Sequence, residues 1–132
     1  MAKIAWYVVM TTIQKVYQFE DLRKIAQEIS EKFGGLTNIQ KAQGLWFNPQ
    51  TANLEIDNTD IWEVLTNDVD TRFAYNIAKK LKVVTNQKVQ LFAIRDKPFY
   101  VEETVKLCAN CLTILPKDNK SGFCFKCEYD DE

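Results

Sequence analysis

The chain has 132 residues, 46% hydrophobic and 27% charged, with 17 basic and 18 acidic side chains and a net charge of −1. That length holds one domain and a small appendage, and four glycines and three prolines exclude disorder over most of it. The near-zero charge argues against a broad basic face for nucleic acid, and the absence of histidine restricts any zinc site to thiolates and carboxylates.

Residues 4–12, IAWYVVMTT, are β-branched and aromatic and read as a strand. The apolar run is too short for a membrane span or a signal peptide, so a cytoplasmic protein without membrane association is expected. Phe19, Leu22, Ile25, Ala26, Ile29 and Phe33 recur at helical spacing, and Gly34-Gly35 stops that helix. Residues 38–47 alternate as a strand, and Asn48-Pro49-Gln50-Thr51 turns the chain. The next strand starts at Leu54 and Ile56 and continues over 61–66, with a bulge or turn expected at Asp57-Asn58-Thr59. Asp70 caps a helix over 71–82, marked by Phe73, Ile77 and Leu81. Residues 88–95 form another strand, Asp96-Lys97-Pro98 breaks it, and Phe99 to Val105 is extended.

The order β-α-β-β-α-β matches an α+β, ferredoxin-like sandwich with both helices on one sheet face. Its expected organisation is a main domain over 1–104, a cysteine module over 105–128 and an acidic tail over 129–132. The first strand is apolar on both faces, which implies that a second subunit, a ligand or the cysteine module covers the helix-free face.

Cys108-x-x-Cys111 and Cys124-x-x-Cys127 are two tight pairs separated by twelve residues, the spacing of a four-thiolate site. Thr113 to Leu115 and Phe123 to Phe125 read as outgoing and returning strands. Residues 106–128 resemble the zinc-ribbon family, which implies one structural Zn²⁺; Leu112 and Glu128 stand where ribbons carry glycine. Four thiolates also suit iron, and the pairs also fit disulfides or a redox C-x-x-C.

Gly34-Gly35-Leu36-Thr37 followed by Gly44-Leu45-Trp46 gives residues 5–95 a resemblance to small bacterial and phage ferredoxin-like proteins, which implies a fold and no activity. The glycine pair offers backbone N–H groups to an anion, so Gly34, Gly35, Thr37 and Trp46 are candidate binding residues. Glu55, Asp57, Asp60 and Glu63 form an acidic set that could hold Mg²⁺ for a nuclease. Trp6, Tyr7, Trp46, Trp62 and Phe92 could form an aromatic platform, and Lys106, Lys117, Lys120 and Lys126 could meet phosphates. The sequence therefore points to a zinc-containing, non-enzymatic binding protein, homodimeric through its sheet face, with a protein or nucleic-acid partner. A small Mg²⁺-dependent nuclease and a sensor of small anionic ligands are the alternatives.

Overall fold

Ile4, Trp6 and Val8 fall on one side of the first strand, and the body of the protein is built against that side. The computed structural model describes residues 1–129; Asp130, Asp131 and Glu132, most of the expected acidic tail, lie outside the described residues. Strand β1 spans Ala2–Val9 and ends in a 3-10 turn at Met10–Thr12, followed by α1 (Phe19–Phe33), β2 (Asn38–Asn48) and β3 (Asn53–Thr66). Helix α2 (Thr71–Val84), β4 (Gln90–Ile94) and β5 (Lys97–Val101) complete the main body. The fold is mixed α+β, with one antiparallel sheet in the order β2-β3-β1-β4-β5.

Both helices pack on the face that carries Ile4, Trp6 and Val8. Leu22, Ile25 and Ile29 of α1 and Ala74, Ile77, Ala78 and Leu81 of α2 meet Trp62, Val64, Phe92 and Val101 there. The indole N–H of Trp6 donates to the Ala74 carbonyl at 3.1 Å, so this buried ring leaves no polar atom unpaired. The Gln18 backbone N–H donates to the Asp21 carboxylate at 2.8 Å at the start of α1, and Gly34 ends the helix at φ 89°. Phe73 N–H donates to Asp70 at 2.9 Å at the start of α2, and Lys80 pairs with Glu28 of α1 at 2.7 Å. Phe19 departs from the expected stripe and is 64% exposed, because the first helical residue lies ahead of the core.

Two strand expectations in the main sheet are corrected. Strand β3 runs without a bulge through Asp57-Asn58-Thr59, since each of these residues has a partner on β2: Gly44, Gln43 and Ala42. Continuous cross-strand pairing overrides the local turn preference of Asp and Asn. Arg95-Asp96, with Arg95 at φ 58°, makes the turn expected at 96–98, and Lys97 and Pro98 open β5. Proline is tolerated there because β5 is an edge strand.

After β5, Glu103 pairs with Lys79 at 3.2 Å and the Lys82 ammonium donates to the Thr104 hydroxyl at 2.6 Å. The chain then forms β6 (Lys106–Leu107), β7 (Ile114–Leu115) and a short α3 (Phe125–Tyr129). The expected return strand at Phe123–Phe125 is absent; β7 pairs with β6, and Cys124 begins a helical turn closed by Glu128 N–H at 2.9 Å. A helical turn brings Cys124 and Cys127 together over three residues, which an extended strand cannot do. Leu107 and Leu112 enter the main core, so the cysteine segment packs on the helices.

Leu112→Ala should therefore lower the stability of the whole chain, by about 2–4 kcal/mol in urea denaturation. Far-UV circular dichroism and tryptophan emission should lose signal in one coincident transition. An early, separate transition that leaves the tryptophans unchanged would contradict the shared core.

Candidate functional site

Two turns deliver the four thiols to one place. Cys108 follows β6, and Leu112 at φ 64° reverses the chain so that its N–H reaches the Cys108 carbonyl at 2.9 Å. Cys124 and Cys127 arrive on the first turn of α3. The four sulfurs lie within 4.8 Å of one another, and the sulfurs of Cys111 and Cys124 are 3.6 Å apart. Asn110 Nδ2 donates to the Cys127 sulfur and Cys127 N–H to the Cys124 sulfur, both at 3.4 Å. Burial pushes the Cys108 thiol up, but backbone N–H groups of Cys111, Cys124 and Asn110 outweigh it and bring the thiol down to about 6. At Cys127 the Asn110 amide favours the thiolate, but bonding among the neighbouring thiols, Cys124 foremost, outweighs it and pushes the thiol up to about 12. Sulfurs this close cannot all ionise without a cation between them. The cluster could hold one metal ion, and among the described residues no other group of three or more acids or cysteines converges in this way.

A second site lies on the helix-free face. There β1 and β4 pair only from Ile4↔Ile94 to Trp6↔Phe92. Beyond that point the Gln90 side-chain amide takes the place of a ladder bond, its Nε2 donating to the Tyr7 carbonyl at 2.7 Å and the Leu91 carbonyl at 2.9 Å. A groove of about 730 Å³ opens over this end of the sheet, well within the usual size of small-molecule sites. Tyr7 and Val9 of β1, Asp57 and Thr59 of β3, Gly44 and Trp46 of β2, and Leu91 of β4 line it, with Tyr100 and Glu102 on the outer side. The 3-10 turn fixes two flanks: Thr11 donates to the Asp57 carboxylate at 3.3 Å, and Gln87 donates to the Thr12 hydroxyl. Glu55, Asp57 and Glu102 give the lining three carboxylates, and among the described residues no lysine or arginine joins them. The indole of Trp46 lies over Gly44, where an added Cβ would stand 2.7 Å from its Nε1. A side chain at position 44 would therefore have to displace the indole.

Other expected site residues are scattered. Gly34 is a helix stop, and Thr37 secures the loop to β3, its N–H donating to the Glu63 carbonyl at 2.9 Å and its hydroxyl accepting from Leu65 N–H at 3.1 Å. Thr37 precedes β2 and Trp46 lies eight residues into it, roughly 27 Å along the strand. The structure thus separates Gly34, Gly35 and Thr37 from Trp46. Asp57 and Asp60 are corrected as a metal pair: an odd step along unbroken β3 sends them to opposite faces, Asp57 to the groove and Asp60 away from it. The aromatic platform divides likewise, with Tyr7 and Trp46 at the groove and Trp6, Trp62 and Phe92 in the helix-side core. Lys117, Lys120 and Lys126 are exposed around the cysteines. Thr59, Gln90, Tyr100 and Glu102 were absent from the sequence candidates. The one readable signal was Gln90, a polar residue on the apolar face of β4 beside Phe92 and Ile94.

No protein family matches the chain, and no curated protein matches it. Its fold is that of a phage SAM lyase. The likeness to that lyase in complex with S-methyl-5′-thioadenosine has a TM-score of 0.55 at 15% identity, covering 77% of this chain and 89% of the lyase. A phage SAM lyase in the apo state gives 0.53 at 16% identity, with the same coverages. The expectation that the chain is not an enzyme is corrected by this likeness, since an enzyme is built on the shared fold. Among the described residues no helix is long and apolar enough to cross a membrane.

Replacing Gly44 with Ala should displace the Trp46 ring into solvent and red-shift tryptophan emission, with far-UV circular dichroism unchanged. Unchanged emission would show that the ring does not rest on Gly44.

Proposed function

We propose that the protein is an enzyme that binds S-adenosylmethionine in the groove and breaks a carbon–sulfur bond, releasing S-methyl-5′-thioadenosine. The observation that carries this is the groove's composition: three carboxylates without a basic residue among the described lining, beside the rings of Tyr7, Trp46 and Tyr100. Carboxylates and ring faces attract cations, and the substrate carries a sulfonium and an ammonium. The likeness in fold to a SAM lyase supports the same ligand class. In the bond-breaking step the C–S electron pair passes to sulfur, which becomes a neutral thioether. The substrate's own carboxylate oxygen forms the new bond to the released carbon and closes a lactone, so atoms and charge balance without water.

This chemistry assigns different tasks to different walls. The sulfonium loses charge toward the transition state, so a carboxylate beside it stabilises the substrate more than the transition state. Asp57, held by Thr11, therefore selects and binds the cation. The apolar walls Val9, Val89 and Leu91 exclude water and favour dispersal of the charge. Incubation of the protein with S-adenosylmethionine should yield the thioether, measured by chromatography and mass spectrometry. Asp57→Asn should raise KM about tenfold and change kcat less. Product formation no faster than in buffer alone would remove the assignment.

The sheet order supports a ferredoxin-like description with β5 added at one edge. The four-thiolate set supports one structural zinc ion, because four thiolates close a tetrahedral shell and leave no position for substrate. Elemental analysis should find one zinc per chain, and less than half of that in Cys111→Ser. Metal removal should lower Tm by about 10 °C or more. Iron in place of zinc, or four free thiols in the purified protein, would overturn this part.

A further inference from the structure

Two buried side-chain atoms at this end of the sheet have no hydrogen-bond partner among the described residues. Thr59 is 8% exposed and its hydroxyl is unpaired; Gln90 is 1% exposed and its Oε1 is unpaired. The Gln90 amide cannot be reversed to remove the problem, because its Nε2 already meets the carbonyls of Tyr7 and Leu91. Strand alternation puts Thr59 on the groove floor between Asp57 and Ile61, all three lining residues. Unsatisfied buried polar atoms cost folding free energy. An isosteric valine at position 59 would avoid that cost and suits a strand equally well.

Gln90 shares the helix-side face of β4 with Phe92 and Ile94, so strand alternation turns its side chain away from the groove floor. The Thr59 hydroxyl, opposite Val9 on the floor, is neutral, whereas carboxylates line the groove around it. A buried neutral acceptor suits a neutral donor, and an ammonium is better matched by a carboxylate.

Resting on the function proposed above, we infer that Thr59 Oγ1 marks the nucleoside subsite of the groove, accepting from a hydroxyl or amino donor of an adenosine group and leaving the charged end of the substrate to Asp57, Glu55 and Glu102.

The test is calorimetric binding of adenosine, S-methyl-5′-thioadenosine and S-adenosylmethionine to the full chain and to Thr59→Val and Thr59→Ser. Thr59→Val should weaken all three ligands by about three- to tenfold, and Thr59→Ser should stay within about twofold of the parent. The ligand-free Thr59→Val protein should unfold at the same urea concentration as the parent or a higher one. Weakening confined to S-adenosylmethionine would place the charged end at Thr59 and overturn the subsite. Unchanged affinity for all three would mean that water fills the floor, and would overturn it equally. Lower stability of ligand-free Thr59→Val would show that the hydroxyl has a protein partner, with the same consequence. Adenosine binding that is lost in Thr59→Val, without cleavage of S-adenosylmethionine by the parent, would sink the proposed reaction and leave the subsite standing. No binding of any of the three by the parent would sink both.

Discussion

Strand β1 has two neighbours over its middle and one at its far end. Its ladder with β3 runs from Ala2 to Val9, but its ladder with β4 stops at Trp6. A backbone carbonyl inside a protein must find a donor, and the Tyr7 carbonyl finds the side chain of Gln90. That substitution holds β1 and β4 together where they no longer pair directly. The groove, its apolar floor and the unpaired Thr59 hydroxyl all lie at this end of the sheet. The threonines of the 3-10 turn then brace its two flanks, Thr11 through Asp57 and Thr12 through Gln87.

Because both helices occupy one face of the sheet, the other face is left to the groove. Val9 and Ala5 are buried there without any helix over them. The long β2–β3 hairpin rises at one side and brings Trp46, Glu55 and Asp57 with it. Its reverse side exposes Leu45, Phe47, Leu54 and Ile56 as an apolar stripe of two cross-strand pairs. A groove whose charges are all negative selects cations, and low-dielectric walls strengthen that selection relative to open water. The Gly34-Gly35 loop has no part in this site, because Gly34 ends α1 and neither glycine is among the groove's lining residues.

What could be read from the sequence was what short-range physics determines. Apolar steps of three and four followed by Gly34 gave both ends of α1, and the two C-x-x-C pairs converge as their spacing implies. The β6–β7 pairing was not legible, because two-residue strands carry no periodicity. Asp57-Asn58-Thr59 has a local turn preference, but the β2 partners, which no local window contains, keep the strand straight. The opposite facing of Asp57 and Asp60 follows from parity once β3 is known to be unbroken. The groove itself draws residues from all five strands of the main sheet, so no window of sequence contains it.

The cysteine cluster and the groove are connected through β5. That strand lies at the sheet edge, held on one side only by β4, and it leads to Tyr100 and Glu102 on the groove's outer wall. An edge strand with one neighbour frays unless its ends are secured. Its first end is closed by the Arg95-Asp96 turn. Its second end continues directly into Glu103 and Thr104, bound to Lys79 and Lys82 of α2, and then into Leu107 and Leu112 in the core. A metal ion held by the four thiolates would fix the conformation that presents Leu112 to that core, with Cys111 immediately before it. It would act on the groove without approaching a ligand, by holding the far end of the segment that carries the outer wall. A closed coordination shell would suffice for this task, since the contribution is positional and requires no open site on the metal.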